Sequence, residues 1–337
     1  MNPISYLQAG DDRQALTHIG DEASFIAGGT NLLDLMKEFV MRPATLVDIN
    51  RLPLEAITSS DDGGLLLGAT ARNADTAYHP LVREGYPILT AAILAGASPQ
   101  IRNMASNGGN LLQRTRCHYF YDVTVPCNKR EPGRGCSAIG GLTRQHAILG
   151  ASDQCIAVHP SDMCVALAAL EAVVHVRSLR GERQIPFASF HRLPDDRPEL
   201  DTTLAPDELI THIELPPSQQ FAGHSCYLKI RDRASYAFAL VSAAAMLDIG
   251  EDGMVRGARL ALGGVAHKPW RLPAAEALLV GRAAIADSFS VAADALLNGA
   301  QGQGGNSFKI PLARRAVMRA LELAAAGTYD NTGSDSD

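Results

Sequence analysis

Short apolar blocks alternate with polar segments over the first 100 residues, which predicts an α/β arrangement. Apolar runs of strand length occur at residues 4–8, 25–27, 44–50 and 65–67. Apolar positions at helical spacing follow at residues 32–39, and residues 86–97 are apolar enough to predict a buried helix. Residues 52–57 continue the same alternation.

The rest of the chain predicts a second unit after Pro216-Pro217. Apolar segments on either side of this proline pair predict a helix at 162–174, strands at 209–215, 227–230 and 255–262, and helices at 273–297 and 311–326. Residues 238–249 fit a strand or a helix, and with their neighbours they suggest an antiparallel sheet. We therefore expect domains at residues 1–217 and 221–327, and a disordered polar tail at 328–337.

Residues 101–160 break this pattern, because Gly, Pro, Arg and Cys are frequent and no period of 2 or 3.6 is visible. The segment is therefore predicted to be mostly loop, and long loops in compact domains are usually functional or disordered. Four cysteines and three aromatic residues argue against disorder. We expect something other than an apolar core to hold the loop, with a metal centre as the best candidate.

The four cysteines of this loop, centred on residues 114–157, are Cys117, Cys127, Cys136 and Cys155. Their spacing lacks the close C-x2-C pairs of zinc ribbons and ferredoxins. Nearby arginines and lysines would stabilise thiolates or an anionic cluster. Four unrelated thiols or two disulfides are the alternatives, and His118 or His146 could replace a thiolate. Cys164, on the following helix, is predicted to be a buried core thiol.

The composition is that of a globular protein of two or three domains, with 337 residues, 46% of them apolar, and a net charge of −6. No basic stripe suggests nucleic acid, and no apolar run is long enough to span a membrane. The N-terminus carries no signal peptide or twin arginine. The sequence therefore predicts a cytoplasmic protein, or a periplasmic one exported with a partner that carries a twin-arginine signal.

Two glycine turns, Gly28-Gly29-Thr30-Asn31 and Asn107-Gly108-Gly109-Asn110, are the other candidate sites. Strand, glycine turn and helix together can present backbone N–H groups to a phosphate, although an ordinary tight turn explains the first segment about as well. No dinucleotide-binding or hydrolase motif is present. Glycine turns combined with four cysteines favour electron transfer over acid–base or nucleophilic catalysis.

The segments AGGTNLLDLMK (27–37) and NGGNLLQRTRC (107–117) give the chain a specific resemblance. The chain resembles the FAD-binding medium subunit of the xanthine dehydrogenase and aldehyde oxidoreductase family of molybdenum hydroxylases. Residues 159–174, 229–245 and 261–271 resemble further segments of the same subunit. The cysteine loop is similar to that of the aromatic-aldehyde oxidoreductase branch, whose medium subunit carries an extra [4Fe-4S] cluster. Asn107 replaces a small or apolar residue of many relatives, with little expected effect.

The resemblance implies a two-lobed FAD-binding domain of the vanillyl-alcohol oxidase type and a C-terminal domain of antiparallel sheet and helices. It implies that FAD is bound by Ile26, Ala27, Gly28, Gly29, Thr30, Asn31, Leu32, Leu33, Ser106, Gly109, Asn110, Asp162 and Lys229. Cys117, Cys127, Cys136 and Cys155 would hold the cluster. His159 could hydrogen-bond the cofactor, although a structural role explains it equally well.

The function implied by the resemblance is electron transfer within a heterotrimer. A large partner subunit with a molybdenum cofactor would oxidise an aldehyde to a carboxylic acid, and a small partner with two [2Fe-2S] clusters would pass electrons to this chain. FAD would deliver them to an external acceptor, for which NAD is not assigned because no nicotinamide motif is visible. A stand-alone flavin oxidase and a non-catalytic zinc or disulfide scaffold are the alternatives.

Overall fold

The structure, a computed structural model, describes residues 2–329, so residues 330–337 of the predicted tail lie outside it. The strands are β1 (Ser5–Gln8), β2 (Ala23–Ile26), β3 (Thr45–Asp48), β4 (Ile57–Ser59), β5 (Leu65–Gly68), β6 (Val173–Ser178), β7 (Gly181–Pro186), β8 (Leu209–Leu215), β9 (Ser225–Ile230), β10 (Val241–Ile249) and β11 (Val255–Gly263). The helices are α1 (Asp12–Thr17), α2 (Leu32–Lys37), α3 (Asn73–Tyr78), α4 (Pro80–Gly85), α5 (Pro87–Ala95), α6 (Pro99–Arg102), α7 (Asn107–Leu111), α8 (His118–Tyr121), α9 (Asp162–Ala169), α10 (Phe187–Phe190), α11 (Gln219–Ala222), α12 (Pro273–Ala277), α13 (Ala286–Leu296) and α14 (Lys309–Ala326).

The first lobe is a three-stranded sheet in the order β1-β3-β2, in which both pairs of strands are parallel. Parallel strands need crossover connections, and the short helices α1 and α2 lie in these connections. The Asp11 carboxylate caps α1 by accepting a hydrogen bond of 2.7 Å from the backbone N–H of Gln14. A small apolar core that includes Leu16, Val47 and Leu52 supports the lobe.

The second lobe is a five-stranded antiparallel sheet in the order β4-β5-β8-β6-β7. The predicted α/β alternation at residues 52–57 and 65–67 is therefore wrong, because β4 and β5 form a hairpin with Ile57 opposite Leu67. The connection after β4 is too short for a helical crossover and turns at Gly63, whose φ is +85°.

The third sheet, β9-β10-β11, is antiparallel, as expected for the C-terminal unit. The ambiguous segment 238–249 contains its central strand β10, which pairs on both sides and is buried over most of its length. The helix predicted at 273–297 is instead two helices, α12 and α13, with Gly281 at a φ of +76° between them. Helix α14 begins at Lys309, so Pro311 lies within its first turn, where proline is tolerated.

Helix α9 joins the two units, because every residue from Asp162 to Ala169 is buried. The apolar core around α5 and α9 also contains Tyr227, Ala244 and Ala261 of the third sheet. An amphipathic helix could not bury all of its faces in this way, which explains why the segment has no polar stripe. The N-terminal and C-terminal units therefore share a core at α9.

The segment 101–160 is largely irregular, as predicted, although the end of α6, α7 and α8 lie within it. Arg130 holds the chain by donating to the carbonyls of Tyr119 and Phe120, each at 2.9 Å. Ile148 and Leu149 donate their backbone N–H groups to the Val265 carbonyl and bury their side chains in the C-terminal core. The expectation that no apolar core holds the loop is therefore wrong for its C-terminal part.

Within residues 2–329, no helix is both long and apolar enough to cross a membrane.

Candidate cofactor sites

The two glycine segments predicted from the sequence meet in the structure. Gly28 lies so close to the second segment that a Cβ atom there would stand 1.9 Å from the carbonyl oxygen of Met104. Such an approach excludes any side chain unless the backbone moves. Gly29, the next residue, has a φ of +69°, which also favours glycine.

A hydrogen-bond network fixes this contact, and the sequence analysis missed its members. Asn50 donates to the Ala27 carbonyl at 3.1 Å. Arg72 donates to the Met104 carbonyl at 2.7 Å and to the Asn50 side-chain oxygen at 3.0 Å. Both residues lie just beyond the carboxyl ends of strands, at β3 and β5, a position that often contributes to sites in α/β folds.

The second glycine segment is the start of helix α7 rather than a simple turn, because the Ser106 hydroxyl accepts a hydrogen bond of 3.3 Å from the backbone N–H of Gly109. Asn107 is fully buried. Its side-chain oxygen accepts from Asn73 and Thr76, each at 3.0 Å, and its amide donates to the Gly68 carbonyl at 3.2 Å. Asn107 thus anchors the segment through its side chain, a role that the sequence analysis did not predict.

A cavity of about 740 Å³ lies beside both segments, within the ~300–1,000 Å³ typical of small-molecule sites. Five of the predicted flavin-binding residues line it, namely Thr30, Gly109, Asn110, Asp162 and Lys229. The other eight do not line it: Ile26, Ala27, Gly28, Gly29, Asn31, Leu32, Leu33 and Ser106. Asn31, for example, turns its side-chain oxygen to the backbone N–H of Arg114 at 2.9 Å.

Asp162 and Lys229 form a buried ion pair of 2.8 Å in the wall of this cavity. The other carboxylate oxygen of Asp162 accepts a hydrogen bond of 2.6 Å from the Tyr227 hydroxyl. Lys229 also donates to the Ala95 carbonyl at 3.0 Å. These contacts join the start of α9 to β9, so the two predicted ligands also hold the domains together at the cavity.

Other side chains in the lining were not singled out from the sequence. About half of them are polar, and these include Asn73, Arg102, Gln113, Arg116 and Tyr121. Asn73 accepts a hydrogen bond of 2.7 Å from the Asn110 amide and thereby orients one of the predicted residues. Its place at the start of α3, directly after the β5 strand, is the only sequence signal that could have pointed to it.

All four cysteines of the loop line a second, much smaller cavity. Cys127 and Cys136 are paired as an antiparallel β-bridge, and all six cysteines, which lie within residues 2–329, are free thiols. Burial raises the pKa of the Cys117 thiol to about 12, and the nearby Cys127 and Cys155 add to the rise. Burial likewise raises the pKa of Cys155 to about 11. The loop therefore gathers its thiols at one point.

The basic residues around the cysteines also have partners of their own. Arg114 and Lys129 pair with Asp201 at 2.7 and 2.5 Å. Although burial opposes it, these two cations hold the pKa of Asp201 below its usual range. Lys129 still acts on the thiols, since its charge opposes the rise in the pKa of Cys155.

Backbone N–H groups reach two of the sulfurs. Hydrogen bonds from the backbone of Phe120 and Tyr119 lower the pKa of Cys117 against the stronger effect of burial. Ala157 does the same for Cys155. Such bonds favour the thiolate form that binds metals.

The two histidines of the loop differ in their surroundings. His118 is exposed. His146 is buried, and its Nε2 lies 3.1 Å from the Cys117 sulfur. Burial lowers the pKa of His146 to about 4, and the charge of Lys309 contributes. The sequence analysis considered His146 as a possible replacement for a thiolate ligand and did not predict a contact with a thiol.

A third cavity, of about 320 Å³, lies between the other two. Cys117 and His146 border it on one side, and Ser161 and Asp162 border it on the other. It shares Asp162, Arg116 and Phe238 with the cavity of about 740 Å³. The thiol cluster and the larger cavity are therefore close neighbours on either side of one space.

His159, Cys164 and His191 form a buried group whose potential ligand atoms all lie within 4.8 Å of one another. Hydrogen bonds make this a poor metal site, since His159 Nδ1 accepts from the Ser161 backbone at 3.3 Å and so leaves the ring proton on Nε2. His191 Nε2 lies 2.8 Å from the Leu111 carbonyl. The structural alternative for His159 and the predicted burial of Cys164 both agree with this packing.

Two family models match the chain. The family described as FAD binding domain in molybdopterin dehydrogenase matches residues 2–218, and the family described as CO dehydrogenase flavoprotein C-terminal domain matches residues 226–324. The chain therefore belongs to the FAD-binding subunits of the molybdenum hydroxylase family, as an FAD-dependent oxidoreductase subunit. This confirms the family and the fold class expected from the sequence.

Individual relatives agree with this assignment. The chain is 50% identical over 305 residues to the aldehyde oxidoreductase FAD-binding subunit PaoB of Escherichia coli (strain K12), covering 90% of this chain and 92% of that protein. It is 27% identical to the 6-hydroxypseudooxynicotine dehydrogenase complex subunit alpha of Paenarthrobacter nicotinovorans, covering 90% and 88%. A chain of carbon monoxide dehydrogenase from Hydrogenophaga pseudoflava superimposes with a TM-score of 0.75 at 25% identity, covering 96% and 98%.

Proposed function

We propose that this chain is the FAD- and [4Fe-4S]-binding electron-transfer subunit of a molybdenum-containing aldehyde oxidoreductase. The convergence of four cysteine thiols on one small cavity, next to the cavity lined by the predicted flavin residues, carries this proposal. The identity of 50% to an aldehyde oxidoreductase FAD-binding subunit supports the substrate class.

FAD occupies the cavity of about 740 Å³ in this proposal. Thr30 and the α7 residues Gly109 and Asn110 line this cavity and would hold the diphosphate, with backbone N–H groups as donors. Gly28 and Gly29 precede Thr30 and allow the chain to pass close to Met104. Thr30 and Asn110 offer polar groups at the same wall. Asp162 and Lys229 stand where the domains meet and orient the polar edge of the flavin. When bound, FAD supplies the exchange of two electrons, and the protein supplies position and electrostatics.

Cys117, Cys127, Cys136 and Cys155 hold the iron–sulfur cluster. Four thiolates are the ligand set of a [4Fe-4S] cluster, and backbone N–H groups near Cys117 and Cys155 match the hydrogen bonds that such sulfurs receive. Arg130 and the buried Lys129 fix the loop around the site. A zinc site with the same four thiolates is the competing occupant.

The chain works with a large subunit that carries the molybdenum cofactor and a small subunit with two [2Fe-2S] clusters. The large subunit converts an aldehyde and water to a carboxylic acid. This chain receives the electrons from the small subunit and transfers them to an external acceptor. Domains at residues 1–217 and 221–327 are part of the proposal, and so is co-export with a partner that carries a twin-arginine signal.

An anaerobic visible spectrum of the purified full chain tests the proposal, with iron, sulfide and released flavin quantified. We expect flavin bands, a broad iron–sulfur shoulder, and ~4 irons with equal sulfide per chain. One tightly bound zinc ion per chain, without sulfide, would show that the four cysteines form a zinc site and not an iron–sulfur site. Aldehyde turnover by the isolated chain would favour a stand-alone flavin oxidase, and folded protein without flavin would contradict the central claim.

A further inference from the structure

His146 approaches the proposed cluster through one of its ligands. Its Nε2 lies 3.1 Å from the Cys117 sulfur, within the distance of an N–H···S hydrogen bond. Its other ring nitrogen, Nδ1, is buried and has no partner among the described residues. The sulfur of a cluster ligand is a thiolate, which has no proton and can only accept a hydrogen bond. A hydrogen bond between the two atoms then requires the ring proton on Nε2, which donates to the sulfur.

Residues of the C-terminal domain hold this histidine in place. The backbone carbonyl of His146 accepts hydrogen bonds from the Lys309 ammonium at 2.9 Å and from the Asn306 amide at 3.0 Å. Both donors are fully buried, and Lys309 begins helix α14. The backbone N–H of His146 donates to the Thr143 carbonyl at 2.8 Å. The backbone at His146 is thus fixed on both sides, and the ring packs in the interior.

Hydrogen bonds to the cysteine sulfurs of an iron–sulfur cluster change its reduction potential. Reduction adds negative charge, part of which resides on the sulfurs, so an N–H donor stabilises the reduced state more than the oxidised state. A donor in a buried, weakly screened position acts more strongly than one in solvent. His146 is 3% exposed, so the donor end of the bond is buried.

We propose that His146 is a positioning residue that donates a hydrogen bond to the Cys117 sulfur and thereby raises the reduction potential of the [4Fe-4S] cluster. This inference rests on the proposed function, because it requires the cluster on the four cysteines. It makes the C-terminal domain, through Lys309 and Asn306, a determinant of the potential of a cluster held by the N-terminal domain.

The test compares the full-length chain with His146→Leu, which removes the donor, and His146→Gln, whose amide can place an N–H near the former Nε2. His118→Leu is the matched control, since His118 belongs to the same loop, is exposed and adjoins Cys117. Each protein is isolated anaerobically, its iron and sulfide are quantified, and the cluster potential is measured by a redox titration followed by EPR.

We expect His146→Leu to lower the equilibrium constant for one-electron reduction by about tenfold, which corresponds to a potential lower by ~59 mV. His146→Gln should stay closer to the wild type than His146→Leu, and His118→Leu should match the wild type. Equal potentials in wild type and His146→Leu, at equal iron content, would overturn the inference and leave the proposed function intact. Absence of iron and sulfide from the wild-type protein would contradict both this inference and the proposed function.

A second measurement decides the question if His146→Leu cannot retain iron. Wild-type chain labelled with ¹⁵N-histidine is reduced and examined by pulsed EPR for a nitrogen coupled to the cluster. The coupling should be present in the wild type and absent from labelled His146→Gln, which keeps the other histidines. A labelled wild type without coupling, or a coupling that survives in His146→Gln, would refute the hydrogen bond.

Discussion

At the scale of single residues, the geometry at Gly28 shows why one of the predicted flavin positions tolerates no side chain. The constraint comes from the Met104 carbonyl, which lies three residues before the other glycine segment, and not from the local backbone angle alone. Asn50 and Arg72 hold the two segments at this separation. A change at Gly28 therefore acts on the packing of both segments at once.

Gly28→Ala should reduce flavin binding and stability together. The added methyl group would meet the Met104 carbonyl oxygen at 1.9 Å, and overpacking of this kind costs about 1–3 kcal/mol. We expect a lower ratio of flavin to protein and a lower Tm. Gly85→Ala is the control, because no atom lies within 4 Å of a Cβ at that position. A Gly28→Ala protein with full flavin content and an unchanged Tm would contradict this account.

The residue types of the candidate site were predictable from the sequence, but most of their partners were not. Glycine segments and clustered cysteines are visible in the chain itself. His146 beside Cys117, Asp201 beside Lys129 and Arg72 beside Met104 depend on contacts between distant segments. Periodicity carries no signal for such contacts, because they are set by how loops pack rather than by local preference.

At the scale of helices and strands, local pattern was sufficient where an element has one clear period or is bounded by proline. Strand β8, Leu209–Leu215, has the bounds expected before Pro216. The pattern failed where pairing decides, as in β10, which fits either a strand or a helix until its neighbours on both sides are known. It also missed the break between α12 and α13 at Gly281, because the alanine-rich residues on both sides favour one continuous helix.

Helix α14 begins with a buried cation that ties it to the cysteine loop, and this gives a pH-dependent prediction. Burial lowers the pKa of Lys309 from 10.5 to about 7. Between these values the unfolded chain binds a proton that the folded chain has released, so the free energy of unfolding rises with pH. Below about pH 7 both states hold the proton, and the contribution of Lys309 no longer changes with pH.

Lys309→Met should remove this dependence. The unfolding free energy of the wild type, relative to Lys309→Met, should increase from pH 7 to about 9.5, with a slope of at most ~1.4 kcal/mol per pH unit. Denaturant unfolding at several pH values measures it. The control Lys37→Met removes an exposed lysine from α2 and should give a curve parallel to the wild type. A difference between wild type and Lys309→Met that is constant above pH 7 would be inconsistent with this reasoning.

At the scale of the whole molecule, the cysteine loop belongs to both domains. Its cysteines lie against the first domain, where Cys127 packs with Leu35 and Phe120. Its later residues, Ile148 and Leu149, enter the core of the second. The loop therefore couples the domains, while the larger cavity and the thiol cavity have no lining residue in common.

This separation predicts that the two cofactors can be removed independently. Cys127→Ala takes away one proposed cluster ligand at a site that does not line the larger cavity, so iron and sulfide should fall sharply while flavin stays near the wild-type ratio. Cys226→Ala is the control, since Cys226 is a buried thiol in the C-terminal core and should leave both cofactors in place. Quantification of iron, sulfide and flavin in the same preparations, with circular dichroism to establish folding, makes the comparison.

Loss of flavin together with iron from folded Cys127→Ala would mean that the cluster supports the flavin site through the cavity that Cys117 and Asp162 both border. Full iron content in Cys127→Ala would remove Cys127 from the ligand set.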